Sequence, residues 1–189
     1  MLKQAVLVIL LFCWVSGSMA QQEPPAKYNP LLDFNLSPAH NKKINPLFNS
    51  SINPQINWNI NPLKNIAINP AKNEFINPKS NAALNPNENK LLNPMFANSL
   101  HPQNPTWKGH YLFDKDDKLI GFITVASQEV MLCFDMEYKW TCFYIRSSTG
   151  NFNQFSLSGE WTGGYLSHDS SEGLNEFSPG GEWTGNHIL

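Results

Sequence analysis

EVMLCFDMEYKWTCFYIR, residues 129–146, decides the fold. It splits into two runs of β-branched and aromatic side chains, 129–136 and 139–146, on either side of Glu137-Tyr138, the pattern of two antiparallel strands joined by a tight turn. Closing the hairpin there sets Cys133 opposite Cys142. Runs of the same character lie outward at 107–113, 118–126 and 152–161. Turn residues separate them at Asp114-Lys115-Asp116-Asp117 and at Ser147 to Asn151. Residues 107–189 are therefore expected to form a mostly β module, a small antiparallel sheet of meander, sandwich or barrel type. A core of that size is marginal without a covalent staple. One disulfide, Cys133–Cys142, is the expected staple, and its small loop predicts about 2–3 kcal/mol.

Upstream the chain is of a different kind. From Asn29 to Leu100 it repeats every eight residues as Asn-Pro-x-x-Asn-x-x-Ile/Leu, as in NPLFNSSI (45–52), NPQINWNI (53–60) and NPLKNIAI (61–68), nine copies without a slip. A strict short period argues for scaffolding or multivalent contact and against a single catalytic pocket in that region. Asn-Pro starts a turn, since the residue before proline is pushed out of the helical region and the Asn side chain caps the next turn. Only the eighth position is invariably apolar, and a proline every eight residues stops helices and removes donors from any strand ladder. The arm is accordingly expected to be extended and largely disordered, a glycine-free tether, with a regular solenoid as the alternative.

Composition breaks at Pro105. Thirteen of the 14 prolines lie between Pro24 and Pro105, and ten of the 11 glycines between Gly109 and Gly185, so arm and module are built of different material. Residues 29–100 carry six Lys against Asp33, Glu74 and Glu88, a net +3, whereas residues 101–189 are net −6. Opposite charges on the two parts predict weak, salt-sensitive self-association. Lysines this thinly spread make no basic stripe, so no nucleic-acid partner is expected.

Residues 1–20 read as a secretory signal peptide: Lys3, an apolar run from Ala5 to Val15, and small residues at Ser18 and Ala20 before Gln21. The chain then divides into a short linker 21–28, the asparagine- and proline-rich octapeptide-repeat arm 29–100, a linker 101–106 and the module 107–189. A secreted, extracellular location follows, with no membrane span after the signal. Asn49-Ser50-Ser51 is a glycosylation sequon, and Asn35-Leu36-Ser37 a second one weakened by Pro38, which would make the protein a glycoprotein.

Chemistry-bearing motifs are sparse. FSLSGEWTG (155–163) returns as FSPGGEWTG (177–185), and Trp107, Trp161 and Trp183 each stand two residues before a glycine. These tryptophans are candidate stacking platforms for a sugar or a proline-rich partner, with Glu160 and Glu182 as orienting groups, although each also suits a core position at a strand end. The Asp114–Asp117 cluster lacks the spacing of a calcium loop, and no Cys or His set has zinc spacing. Glu160 and Glu182 stand in near-identical contexts, whereas acid and base roles need different ones. No catalytic residue, metal site or cofactor is assigned. The expectation is a secreted, non-enzymatic structural or interaction protein, with the arm as spacer or multivalent contact to an extracellular protein or polysaccharide. A host-defence effector acting through the arm is the second reading, and a carbohydrate-binding module the third.

Overall fold

The computed structural model describes residues 28–189. The expected signal peptide and residues 21–27 of the linker lie outside the described residues. Eight antiparallel strands run as a meander and close on themselves: β1 (His110–Phe113), β2 (Leu119–Val125), β3 (Val130–Asp135), β4 (Trp140–Arg146), β5 (Phe152–Phe155), β6 (Trp161–His168), β7 (Leu174–Phe177) and β8 (Trp183–Ile188). The protein is mostly β, and of the three sheet types open to the sequence it is the barrel. β1 pairs with both β2 and β8, so no edge is left to template aggregation.

Four equivalent hairpins build the barrel. At the end of each odd strand a phenylalanine, Phe113, Phe134, Phe155 or Phe177, directly precedes a five-residue turn, whose first residue Asp135 is also the last of β3. The first turn residue donates its N–H to the carbonyl of the fifth, from Asp114 to Lys118 (2.9 Å), Asp135 to Lys139 (3.0 Å), Ser156 to Glu160 (2.9 Å) and Ser178 to Glu182 (2.8 Å). The fourth residue is left-handed every time: Asp117 (φ 58°), Tyr138 (64°), Gly159 (87°) and Gly181 (83°). The sequence echo at 155–163 and 177–185 is therefore half of a fourfold repeat. The other two copies are hidden because Asp117 and Tyr138 occupy the position where glycine is the low-cost choice. The fifth apolar run, expected as one strand over 152–161, is in fact β5, its turn and the first residue of β6, and β6 to β8 went unassigned in the sequence.

Strand alternation sorts the side chains onto two faces. Leu112, Ile123, Met131, Cys133, Tyr144, Leu166, Leu174 and Ile188, with Phe152, form one cluster drawing on all eight strands, which places them in the lumen. An eight-stranded barrel is just wide enough for side chains to fill it. Their neighbours along each strand, among them Phe122, Leu132, Phe134, Phe143, Ile145 and Phe155, point outward and are buried as well. A barrel with an apolar exterior needs a cover.

The octads are that cover, and this corrects the expectation of a disordered arm. Ile68, Ile76 and Leu84 belong to the same cluster as the outward residues of β2 to β5. In octad after octad the Ile-Asn-Pro triplet faces inward, as at 60–62, 76–78 and 84–86, while positions three, four, six and seven are exposed. Barrel side chains grip the belt by its carbonyls: Asn175 Nδ2 donates to Leu36 O (3.0 Å), Asn151 to Ile52 O (2.9 Å) and Asn153 to Ile60 O (2.9 Å). One apolar residue per octad is too few for a solenoid with its own core. It is enough for a belt whose other half of the core is the barrel.

Asparagine supplies the belt's internal order. Asn61 Oδ1 accepts from Leu63 N (2.8 Å) while Asn61 Nδ2 donates to Pro54 O in the preceding octad (2.8 Å). Asn65 does likewise with Ala67 N (3.1 Å) and Asn59 O (2.6 Å). Each octad thus makes two turns, and its amides stitch it to the one before. Aspartate could accept but not donate, so Asp33 is tolerated in the first octad, which no octad precedes. The ladder also outruns the repeat read from sequence: His101 Nε2 meets Pro94 O, and Asn104 Nδ2 donates to Asn98 O (3.1 Å), carrying the belt to Thr106 within the expected linker.

Candidate functional site

The outer side of the belt is the most distinctive surface of the molecule. Fourteen large apolar side chains are exposed among the described residues, and twelve lie on the octads, from Leu32 to Phe96; the barrel contributes only Val125 and Leu157. Phe75 is 85% exposed and Ile66 72%, values that no core packing accounts for.

These side chains are ordered into rungs. Position six of one octad lies beside position four of the next, so that Lys42 Nζ sits 5.0 Å from the Phe48 ring centre, Lys64 5.7 Å from Trp58 and Lys90 5.3 Å from Phe96. Phe34 and His40 make the same rung with ring centres 4.3 Å apart. Ammonium groups over aromatic faces combine an apolar contact area with a positive charge. Open depressions lie between consecutive octads, about 670 Å³ at Phe34, His40 and Lys43 and about 470 Å³ at Ile66, Lys72 and Phe75. Such a surface can take up side chains from a partner carrying negative charge.

The lumen holds the second group of reactive side chains. Cys133 and Cys142 are direct cross-strand partners, as the hairpin register requires, and both are free thiols in the structure. A hydrogen bond between them, together with burial, pushes the Cys142 thiol well above its ordinary pKa, and the same hydrogen bond pulls Cys133 down against the opposing effect of its burial. Burial likewise raises Tyr144. Gln154 Nε2 reaches Tyr144 Oη (3.2 Å) and Glu176 Oε1 (3.3 Å), and Glu176 Oε2 accepts from Asn186 Nδ2 (2.7 Å) and Thr184 Oγ1 (3.2 Å). Both oxygens of that carboxylate are engaged, so the cluster braces one end of the lumen. Among the described residues no three His, Cys, Asp or Glu side chains converge to hold a metal ion.

The three candidate tryptophans do not meet. Trp161 and Trp183 open β6 and β8 beside the five-residue turns, equivalent to Trp140 on β4, whereas Trp107 precedes β1 at the opposite end of the barrel. All three are half buried, with indole N–H groups turned inward. Trp107 lies edge-on to Tyr111, centres 4.5 Å apart, and Trp161 packs against the outer core cluster. Glu160 and Glu182 stand one residue ahead of these rings in the turns.

Of the two sequons, Asn49 spends its amide on the ladder, donating to Lys43 O (2.6 Å) and accepting from Ser51 N (3.2 Å). Asn35 is exposed, with Nδ2 on Asp33 Oδ1 (3.1 Å). The Lys–aromatic rungs escaped the sequence reading, because which positions of neighbouring octads touch depends on the winding; the recurrence of Lys and Phe at positions four and six was the available signal.

Comparison of the chain with protein-family models, with curated proteins and with solved structures finds no match in any of the three. What defines the protein is its architecture, an eight-stranded antiparallel barrel belted by an asparagine-laddered octapeptide repeat. Among the described residues no helix is long and apolar enough to cross a membrane.

Proposed function

We propose that the protein is a secreted, non-enzymatic interaction or structural component of the extracellular space, and that the outer side of the belt is its contact surface. The observation that carries this reading is the placing of twelve of the fourteen exposed large apolar side chains on the octads. A repeated surface offers many equivalent weak contacts, and linked weak contacts raise avidity without any new one. Multivalent contact is the branch of the expectation that the geometry supports; a belt wound onto its own barrel makes a poor spacer. Sedimentation of the mature protein with the insoluble extracellular material of its source tests the reading. Binding should fall at least about tenfold, or 1.4 kcal/mol, in the triple variant Phe48→Ser, Trp58→Ser, Phe96→Ser, and undiminished binding overturns it.

In an exported chain Cys133 and Cys142 form the disulfide, since their positions already match and the compartment is oxidising. Intact-mass measurement before and after reduction should differ by two hydrogens; equal masses remove the bond. The Lys–aromatic rungs give a host-defence effector its best support, tested by growth inhibition with the wild type against the same triple variant. A carbohydrate-binding role has less to rest on, the three tryptophans being divided between the two ends of the barrel.

A further inference from the structure

We infer that the belt's outer face docks the turn end of a second copy of this chain. The inference rests on the belt being a contact surface and adds which partner it takes. The four equivalent turns lie together at one end of the barrel, and each carries one exposed carboxylate: Asp116, which Lys115 pairs at 2.7 Å, and Glu137, Glu160 and Glu182. The turns at 156–160 and 178–182 carry no lysine at all, and the four turns together hold seven acidic and three basic side chains, a net −4. Leu157 stands 41% exposed in the same ring, an apolar tip suited to the depressions between octads. The belt answers with a net +3 and with lysines already held beside aromatic rings.

Acidic end and basic, apolar belt are different surfaces of one molecule. Their contact is heterologous, so each copy that docks offers a new belt and a new end, and growth is open-ended unless the geometry closes a ring. A flat anionic surface fits less well, because the belt follows a curved barrel and can offer it only a few rungs at a time. The tip of a single turn, with Leu157 and the neighbouring Glu160 carboxylate, is small enough to enter one inter-octad depression.

Analytical ultracentrifugation of the full mature chain tests this. Low salt, about 0.02 M, should give species of at least about twice the monomer mass, and about 0.5 M salt should return the monomer. The belt variant Phe48→Ser, Trp58→Ser, Phe96→Ser and the end variant Glu137→Gln, Glu160→Gln, Glu182→Gln should each stay monomeric alone. Mixed, they should pair one to one, the belt variant's intact end entering the end variant's intact belt. A wild type that is monomeric at low salt overturns the inference, as does an end variant that assembles like the wild type or a mixture that fails to pair. Vesicles of anionic phospholipid distinguish the remaining case. If they bind wild type and end variant alike, lose the belt variant, and no self-association is seen, the partner is a lipid surface; the second-copy assignment then falls while the belt remains a contact surface.

Discussion

His187 lies flat against Phe113, ring centres 5.4 Å apart and planes 17° from parallel, at the seam where β8 meets β1. The other three junctions between hairpins, β2/β3, β4/β5 and β6/β7, place Phe122 on Phe134 (5.5 Å), Phe143 on Phe155 (5.5 Å) and Tyr165 on Phe177 (5.4 Å) at the equivalent cross-strand positions. His187 is the one ring among Phe122, Phe143, Tyr165 and His187 that can take up a proton, and its Nε2 stands 3.5 Å from Asp117 Oδ1. Asp117 also holds the start of the belt, accepting from Asn29 Nδ2 at 2.8 Å.

Burial pushes the His187 pKa below its ordinary 6.5, against the smaller opposing pulls of the Gly185 carbonyl and the carboxylates of Asp117, Asp114 and Asp169. A depressed folded pKa means that the unfolded chain takes up the proton first as pH falls. Stability should therefore be full above about pH 6.5 and decline below it. His110, lowered by burial and by His168, acts in the same direction, so the comparison must be between variants. Thermal unfolding of His187→Phe should lose less than wild type between pH 7 and pH 5; equal losses would remove the seam histidine from the effect.

Belt packing predicts a contrast between two isoleucines in adjacent octads. Ile60 is 1% exposed and Ile66 72%. Ile60→Ala should cost about 2–5 kcal/mol in chemical denaturation, and Ile66→Ala less than about 0.5 kcal/mol. Equal costs would mean that the belt does not pack as described.

Asn153 is buried and donates to Ile60 O. Replacing it with Ala leaves a belt carbonyl without its donor and should cost about 1–3 kcal/mol. Hydrogen exchange should quicken first at belt amides near 57–61, a pattern that a uniformly destabilised barrel would not give.

Gly159 has φ 87°, and a Cβ there would meet nothing closer than the Asn77 amide at 4.0 Å. Gly159→Ala isolates the left-handed cost of the turn, about 1–2 kcal/mol. A neutral substitution would show that the turn relaxes.

A chain without residues 29–100 should not yield a soluble head. Phe122, Leu132, Phe143 and Ile145 would then face water on the barrel's outside, and a patch of that kind drives aggregation. Size-exclusion chromatography of the refolded fragment is the check, and a monodisperse monomer would contradict the belt's structural role.

Much of the barrel was legible locally. The strands at 119–125, 130–135 and 140–146 and the register of Cys133 with Cys142 follow from alternation and turn residues. The last three strands were harder, because β6 and β8 begin with Trp-Thr-Gly and carry polar lumen residues such as Thr162, Thr184 and Asn186, which dilute the apolar signal. The candidate surface was half visible: the octad period is plain, whereas inward and outward positions are told apart only by what the belt lies on.

The sequence by itself determined the eight-residue unit, its Asn-Pro turn, the break near Pro105 and the β character of the C-terminal half, since each depends on residues only a few positions apart. Tertiary structure alone decided that the arm is ordered. An Ile-Asn-Pro triplet buries too little to order itself, and the outward face of a barrel built mainly from Phe, Leu and Ile cannot stay in water; each supplies the apolar partner the other lacks, across up to 139 residues of chain between Leu36 and Asn175.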